Sequence, residues 1–261
     1  MESGAPLVEA QKLVKEYGAV RVVDDVSFTI ARGETLGLVG ESGSGKSTVA
    51  RMVLGLAPIT SGEVRFNGRD LRTMNAREMR ALRRKMQVVF QDPYAALNPR
   101  MRVREILNEP FRIHGERCSS ERLLEMLGEV GLDASALERY PHEFSGGQRQ
   151  RINIARALAL RPEFVVLDEP VAALDVGVGA QVINLLRTLQ QRYGLTYLFI
   201  SHSMPLVRYL CDHVAVMQRG RLVEIGPCDT VCSAPQQSYT RELIAATPVM
   251  PGVGVPSLPI Q

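Results

Sequence analysis

No stretch of this sequence approaches the ~20 apolar residues that a membrane-spanning helix needs. The most apolar strands, such as Val165-Val166-Leu167, are short and end in carboxylates. The opening residues 1–13 hold no apolar run of signal-peptide length, so export is not expected. Cysteine is scarce and scattered: Cys118, Cys211, Cys228 and Cys232 form no Cys-x-x-Cys pair. The one close couple, Cys228 and Cys232, reads as two free thiols rather than a metal site, and a reducing cytosol is the expected compartment. Charge of one sign is lacking too. A formal net charge of +3 over 261 residues gives no argument of its own for a nucleic-acid partner, and none is expected. No internal repeat is present.

What is there is ordinary for a globular chain, with 45% hydrophobic and 23% charged residues and enough length to bury a proper core. Residues 7–30 alternate short β-branched runs around a turn at Tyr17-Gly18, which predicts a pair of antiparallel strands. Residues 34–39 predict a buried strand, a glycine-rich loop follows, and residues 48–56 predict a helix. Residues 74–85 are arginine-rich and helical in pattern, and 86–90 form another apolar strand. From residue 92 to about 161 strand signals vanish in favour of helices at 103–113 and 120–130, which reads as a helical subdomain inserted into an α/β core. Strand signals return at 164–167. A helix is expected over 179–193 with Val182, Leu185, Leu186 and Leu189 on one side, then a strand over 196–200. Residues 212–217 and 222–225 flank Arg219-Gly220 as a hairpin. The last residues, 247–261, hold four prolines and two glycines and are expected to lack a fixed structure.

The chemistry gathers in three places. In Gly40-Glu41-Ser42-Gly43-Ser44-Gly45-Lys46-Ser47, three glycines let backbone N–H groups close in on phosphate oxygens, and the helix that follows adds its positive end. Lys46 supplies a charge to the β- and γ-phosphates, and the Ser47 hydroxyl is the expected Mg²⁺ ligand. Strand, loop and helix stand in the order a phosphate loop requires. Further on, 164–169 brings Asp168 and Glu169 to the exit of a buried strand. Asp168 suits Mg²⁺ and Glu169 suits polarising an attacking water. The third place is Ser145-Gly146-Gly147-Gln148, at the start of a helix over 152–160. It reads either as an anion-binding terminus serving a nucleotide on another subunit, or as a plain serine N-cap with glycines for turn geometry.

With these motifs in this order, residues 7 to about 246 resemble the ATP-binding-cassette (ABC) ATPases. Residues 40–48, Thr48 included, match the Walker A motif and 164–169 the Walker B motif. Ser145-Gly146-Gly147-Gln148 matches the family signature, with Phe144 where leucine is more usual. Gln91 matches the Q-loop glutamine, Ala172-Ala173-Leu174-Asp175 the D-loop, and His202 the switch histidine. Tyr17 falls where the family stacks an aromatic ring on adenine. The resemblance implies an α/β fold, a P-loop NTPase (RecA-like) core with an N-terminal antiparallel β subdomain and an inserted helical subdomain at about 93–160. Residues 1–246 would be the ATPase domain and 247–261 a flexible tail.

The resemblance also assigns roles. Glu169, His202, Gln91 and Lys46 would serve catalysis, and Tyr17, residues 40–48 and Gln91 would hold ATP. Ser47, Gln91 and Asp168 would hold Mg²⁺. Ser145, Gly146, Gly147, Gln148 and Asp175 would reach the ATP of a second ATPase subunit, identical or related.

Three stretches look like the oligopeptide, dipeptide and nickel importer branch: 90–100, 168–176 and 238–246. The implied protein is the ATPase subunit of a bacterial peptide-type importer, peripheral on the cytoplasmic face of the cell membrane. Two permease subunits would lie above it and an extracytoplasmic binding protein outside. A nickel or glutathione importer of the same branch is the alternative, as is a soluble ABC ATPase, although coiled-coil insertions and tandem cassettes are absent. Intact Lys46, Asp168, Glu169 and His202 argue against a non-hydrolysing regulator. Ser203 departs from the family, since an acidic residue commonly follows the switch histidine. The cysteine-rich C-terminal extension of some members is missing, so no iron–sulfur cluster is expected.

Overall fold

The computed structural model describes residues 5–246. The chain opens with two long antiparallel strands, β1 (Val8–Tyr17) and β2 (Val20–Ile30), whose apolar residues Leu13, Val23, Val26 and Ile30 are wholly buried. Next come β3 (Thr35–Val39), buried along its whole length, and α1 (Lys46–Val53). The helix therefore starts two residues before the expected 48 and stops three short of 56. Its N-cap is Gly45 at φ 107°, so the glycine of the loop sets where the helix begins.

The strand β4 (Ser61–Phe66) then returns to pair antiparallel with β1, and the two-residue β5 (Arg69–Asp70) follows at its edge. The N-terminal sheet is thus four-stranded, in the order β2-β1-β4-β5, not a lone hairpin. A two-way cap between Asn75 and Glu78 opens α2 (Ala76–Leu82), and β6 (Met86–Val89) follows.

The middle of the described chain is helical: α3 (Pro93–Ala96), α4 (Val103–Ile113), α5 (Ser120–Glu129) and α6 (Gly146–Leu158). Strand and helix then alternate through β7 (Phe164–Asp168), α7 (Val176–Tyr193), β8 (Thr196–Ser201) and α8 (Met204–Leu210). On α7 the inward face holds Val182, Leu186 and Leu189 with Leu185 packed half-buried beside them, as expected, and Ile183 is buried in the same core. The chain continues through β9 (His213–Gln218), β10 (Arg221–Pro227), α9 (Cys228–Ser233) and α10 (Ser238–Ala245). Arg219 and Gly220 both have positive φ, 46° and 85°, as the two-residue turn of the β9–β10 hairpin demands.

The larger sheet runs β10-β9-β3-β8-β7-β6, parallel except for the edge strand β10. Parallel strands covered on both faces read as continuous apolar runs, and β3, β7 and β8 are such runs. Their side chains divide between two cores by alternation. Leu36, Leu38, Val166, Leu198 and Ile200 join α1 and the antiparallel sheet. Val39, Val165, Leu167, Tyr197 and Phe199 join the helices of the opposite face. The strand ends are level: Val89 pairs with Leu167, Asp168 with Ile200, and Val39 with Ser201. The segments leaving β3, β6, β7 and β8 therefore gather along one edge, where open α/β sheets bind their ligands.

Among the described residues no helix is long and apolar enough to cross a membrane. All four cysteines are free, and Cys228 and Cys232 sit one turn apart on α9 with their Sγ atoms 3.8 Å apart. No group of His, Cys, Asp and Glu among the described residues has metal-binding geometry. The proline-rich segment 247–261 lies outside the described residues.

Candidate active site

The loop between β3 and α1 is held in one shape by its glycines and by contacts from far along the chain. Gly40 has φ 148°, and a Cβ there would lie 2.1 Å from the Met217 carbonyl oxygen, so no other residue fits. The Gly220 N–H donates to the Ser44 carbonyl at 3.0 Å, and the Glu41 N–H donates to Tyr239 Oη at 3.1 Å. Lys46 is buried at the first turn of α1, and its Nζ donates to the carbonyls of Gly40 (2.8 Å) and Glu41 (2.7 Å). No side chain caps this helix, which leaves its first-turn N–H groups facing the loop. Thr48 lies half-buried on the same turn, while Ser42 and Gly43 stand exposed at the tip of the loop.

The two carboxylates at the end of β7 come to this loop. Ser47 Oγ lies 3.2 Å from Asp168 Oδ1, so the hydroxyl and carboxylate read from separate motifs share one point in space. Burial raises the Asp168 carboxyl above the ordinary aspartate range, opposed by the Ser47 hydrogen bond and reinforced by the Glu169 charge. Burial also lowers the Lys46 ammonium, against the pull of Glu169, Asp168 and Glu41. Glu169 itself sits at φ 47°, a region that side chains seldom occupy, and its N–H donates to the Ile200 carbonyl at 3.0 Å. That strained backbone, pinned by β8, turns the carboxylate toward His202, whose Nδ1 is 3.5 Å from Glu169 Oε2.

The other residues singled out from sequence stand apart from this cluster. Gln91 leaves β6 level with the end of β7, but it is exposed and bonds none of Ser47, Asp168 or Glu169. Tyr17 ends β1 half-exposed, with Lys15 Nζ 4.6 Å above its ring. Ser145 caps α6: its Oγ accepts from the Gln148 N–H at 3.3 Å, and its own N–H donates to Gln148 Oε1 at 3.0 Å. Within one chain Ser145 and Gln148 thus form a two-way cap on α6. Gly146 packs beside Leu174, and Gly147 presses closely on Val178 of α7. Asp175 caps α7 in turn, accepting from the Val178 N–H at 2.9 Å. Two contacts escaped the sequence reading, Gly220 to Ser44 and Tyr239 to Glu41. Neither has a local signal, since each joins the loop to a segment near the far end of the chain.

The family described as ABC transporter matches residues 23–172. A putative peptide import ATP-binding protein of Brucella ovis is 53% identical over 250 residues, 93% of this chain and 79% of that protein. The oligopeptide transport ATP-binding protein OppF of Bacillus subtilis is 50% identical over 244 residues, 92% of this chain and 80% of that protein. Among solved structures, cbiO1 of Clostridium perfringens, part of the ABC transporter complex cbiONQ, aligns with a TM-score of 0.77 at 26% identity, covering 87% of this chain and 90% of that one. A dimeric ATP-binding cassette in a post-hydrolysis state with ADP and Pi aligns at 0.75 with 28% identity, covering 85% and 98%.

Proposed function

The chain belongs to the ABC transporter family and is an ATPase of that family, and from that premise we propose that it drives a peptide-type importer. The observation that carries the site is the meeting of Ser47 and Asp168 at 3.2 Å beside buried Lys46. The loop N–H groups and Lys46 take the phosphates of ATP. Ser47 Oγ and Asp168 Oδ1 are hard oxygen donors at one point, a fit for Mg²⁺, which when bound neutralises phosphate charge and orients the γ-phosphate. Glu169 accepts the proton of the attacking water, and His202 keeps that carboxylate in register. Gln91, two residues past the end of the neighbouring strand β6, would be a further ligand for Mg²⁺ and the attacking water, and Tyr17 would offer its ring to the adenine.

The catalytic unit we propose is a head-to-tail dimer with an identical or related ATPase. Ser145, Gly146, Gly147, Gln148 and Asp175 complete the site on the opposite subunit. Residues 1–246 act as one ATPase domain in which about 93–160 form the helical subdomain. The dimer works against two permease subunits on the cytoplasmic face of the membrane, fed by an extracytoplasmic binding protein. The names of the relatives support peptides as the cargo.

The test is Glu169→Gln. Steady-state ATP turnover should fall at least about 100-fold, the usual contribution of a general base. ATP binding should persist, and ATP-dependent dimers should accumulate on size exclusion. Turnover at the wild-type rate would remove Glu169 from the role of base.

A further inference from the structure

We infer that Tyr239 is a positioning residue for the phosphate loop, acting through the peptide that holds Lys46; the inference rests on the ATP-site reading above. The Glu41 N–H donates to Tyr239 Oη at 3.1 Å. The carbonyl of the same peptide unit, that of Gly40, accepts from Lys46 Nζ at 2.8 Å. In a planar trans peptide the N–H and C=O point in opposite directions, so a hydrogen bond on one side sets the direction of the other. Tyr239 thereby aims the Gly40 carbonyl at Lys46.

The hydroxyl reaches the loop because the end of the described chain is built to bring it there. Tyr239 is the second residue of α10, and its ring is packed into the helical-face core with only 8% exposure. The approach to α10 is fixed by Glu224 of β10, whose carboxylate accepts from the Gln236 and Gln237 N–H groups at 2.8 and 3.1 Å. The same hairpin supplies the Gly220 N–H to Ser44, and β9 supplies the Met217 carbonyl that crowds Gly40. One unit, β9, β10 and α10, therefore grips the loop at Gly40, Glu41 and Ser44.

With the Glu41 N–H held by Tyr239, the remaining loop N–H groups are left for phosphate oxygens, and such a loop binds tightest when no peptide has to be frozen on binding. Freeing the Gly40–Glu41 peptide adds such a cost and leaves Lys46 a wandering acceptor. The stretch around Tyr239, which in sequence marks only a branch of the family, so gains a task at the nucleotide site.

Tyr239→Phe removes the hydroxyl and keeps the ring in its core. For the full chain, the Kd for a fluorescent ATP analogue with Mg²⁺ should rise about three- to tenfold, the size of one neutral hydrogen bond. Turnover at saturating ATP should stay within about twofold, as for an interaction made equally in ground and transition states. Deuterium uptake in the peptide spanning the loop should quicken.

Glu41→Pro deletes the donor itself, so Tyr239→Phe on that background should cause no further loss. If Glu41→Pro does not fold, the Kd and exchange of the single variant decide. Either of two results overturns the assignment: an unchanged Kd, whether or not the melting temperature falls, or additive losses in the double variant. A wild-type chain that fails to bind the analogue sinks the ATP-site reading first, and this inference with it.

Discussion

Asp168 is held where burial disfavours its charge, beside another carboxylate, which raises its carboxyl above the ordinary aspartate range. Its folded pKa lies above its unfolded value, so between the two the folded state binds more protons and stability falls as pH rises through that window. Replacing it with asparagine removes the penalty while the amide oxygen still accepts from Ser47. Asp168→Asn should therefore melt at a higher temperature than wild type at neutral pH without nucleotide, and the gain should vanish as pH falls below the carboxylate range. A melting point unchanged or lowered at pH 7 would contradict the burial argument, and ATP turnover should be lost either way. Lys46, Ser47, Asp168 and Glu169 were legible as candidates because each stands inside a short motif with its own strand or helix. Tyr239 was not, since its partner Glu41 lies 198 positions away and only the fold brings them together.

At the scale of elements, the best-read segments were those whose periodicity is undisturbed. The expected 103–113 coincides with α4, where Val103, Ile106, Leu107 and Phe111 make one buried stripe. β4 was missed because it opens with Ser61-Gly62, a turn signal, and its pairing partner β1 lies far upstream. α8 escaped because seven residues with Pro205 in the first turn show too little periodicity. The ends of α1, α6 and α7 were displaced because caps, not apolar patterns, set them: Gly45, Ser145 and Asp175 respectively.

The joint between α6 and α7 is tight enough to test. A Cβ on Gly147 would lie 2.2 Å from Val178 Cγ1 but 3.6 Å from Val178 Cβ. Gly147→Ala should destabilise the chain by ~1–3 kcal/mol through overpacking, read by urea unfolding. Val178→Ala in the same chain should recover most of that loss. Simple addition of the two losses would mean that the steric account of Gly147 is mistaken.

For the whole molecule, the sequence order of the motifs already carried the architecture: a strand-loop-helix, a helical interval, then alternating strands and helices. The arrangement of those strands was not legible, because β3, β7 and β8 are near-identical apolar runs and nothing local states which pair. The fold answers by placing β8 between β3 and β7, so that loop, carboxylates and His202 open on one edge. The Ser145 segment, by contrast, shares no hydrogen bond with that cluster within the chain. Our central claim is that it serves a second subunit's nucleotide. Ser145→Arg and Lys46→Ala chains should each be inactive alone, one lacking the segment and the other the loop. Mixed in equal amounts, they should regain ATP turnover through heterodimers that keep one complete site. Two folded, dimerising variants whose mixture remains as inactive as either alone would contradict the claim.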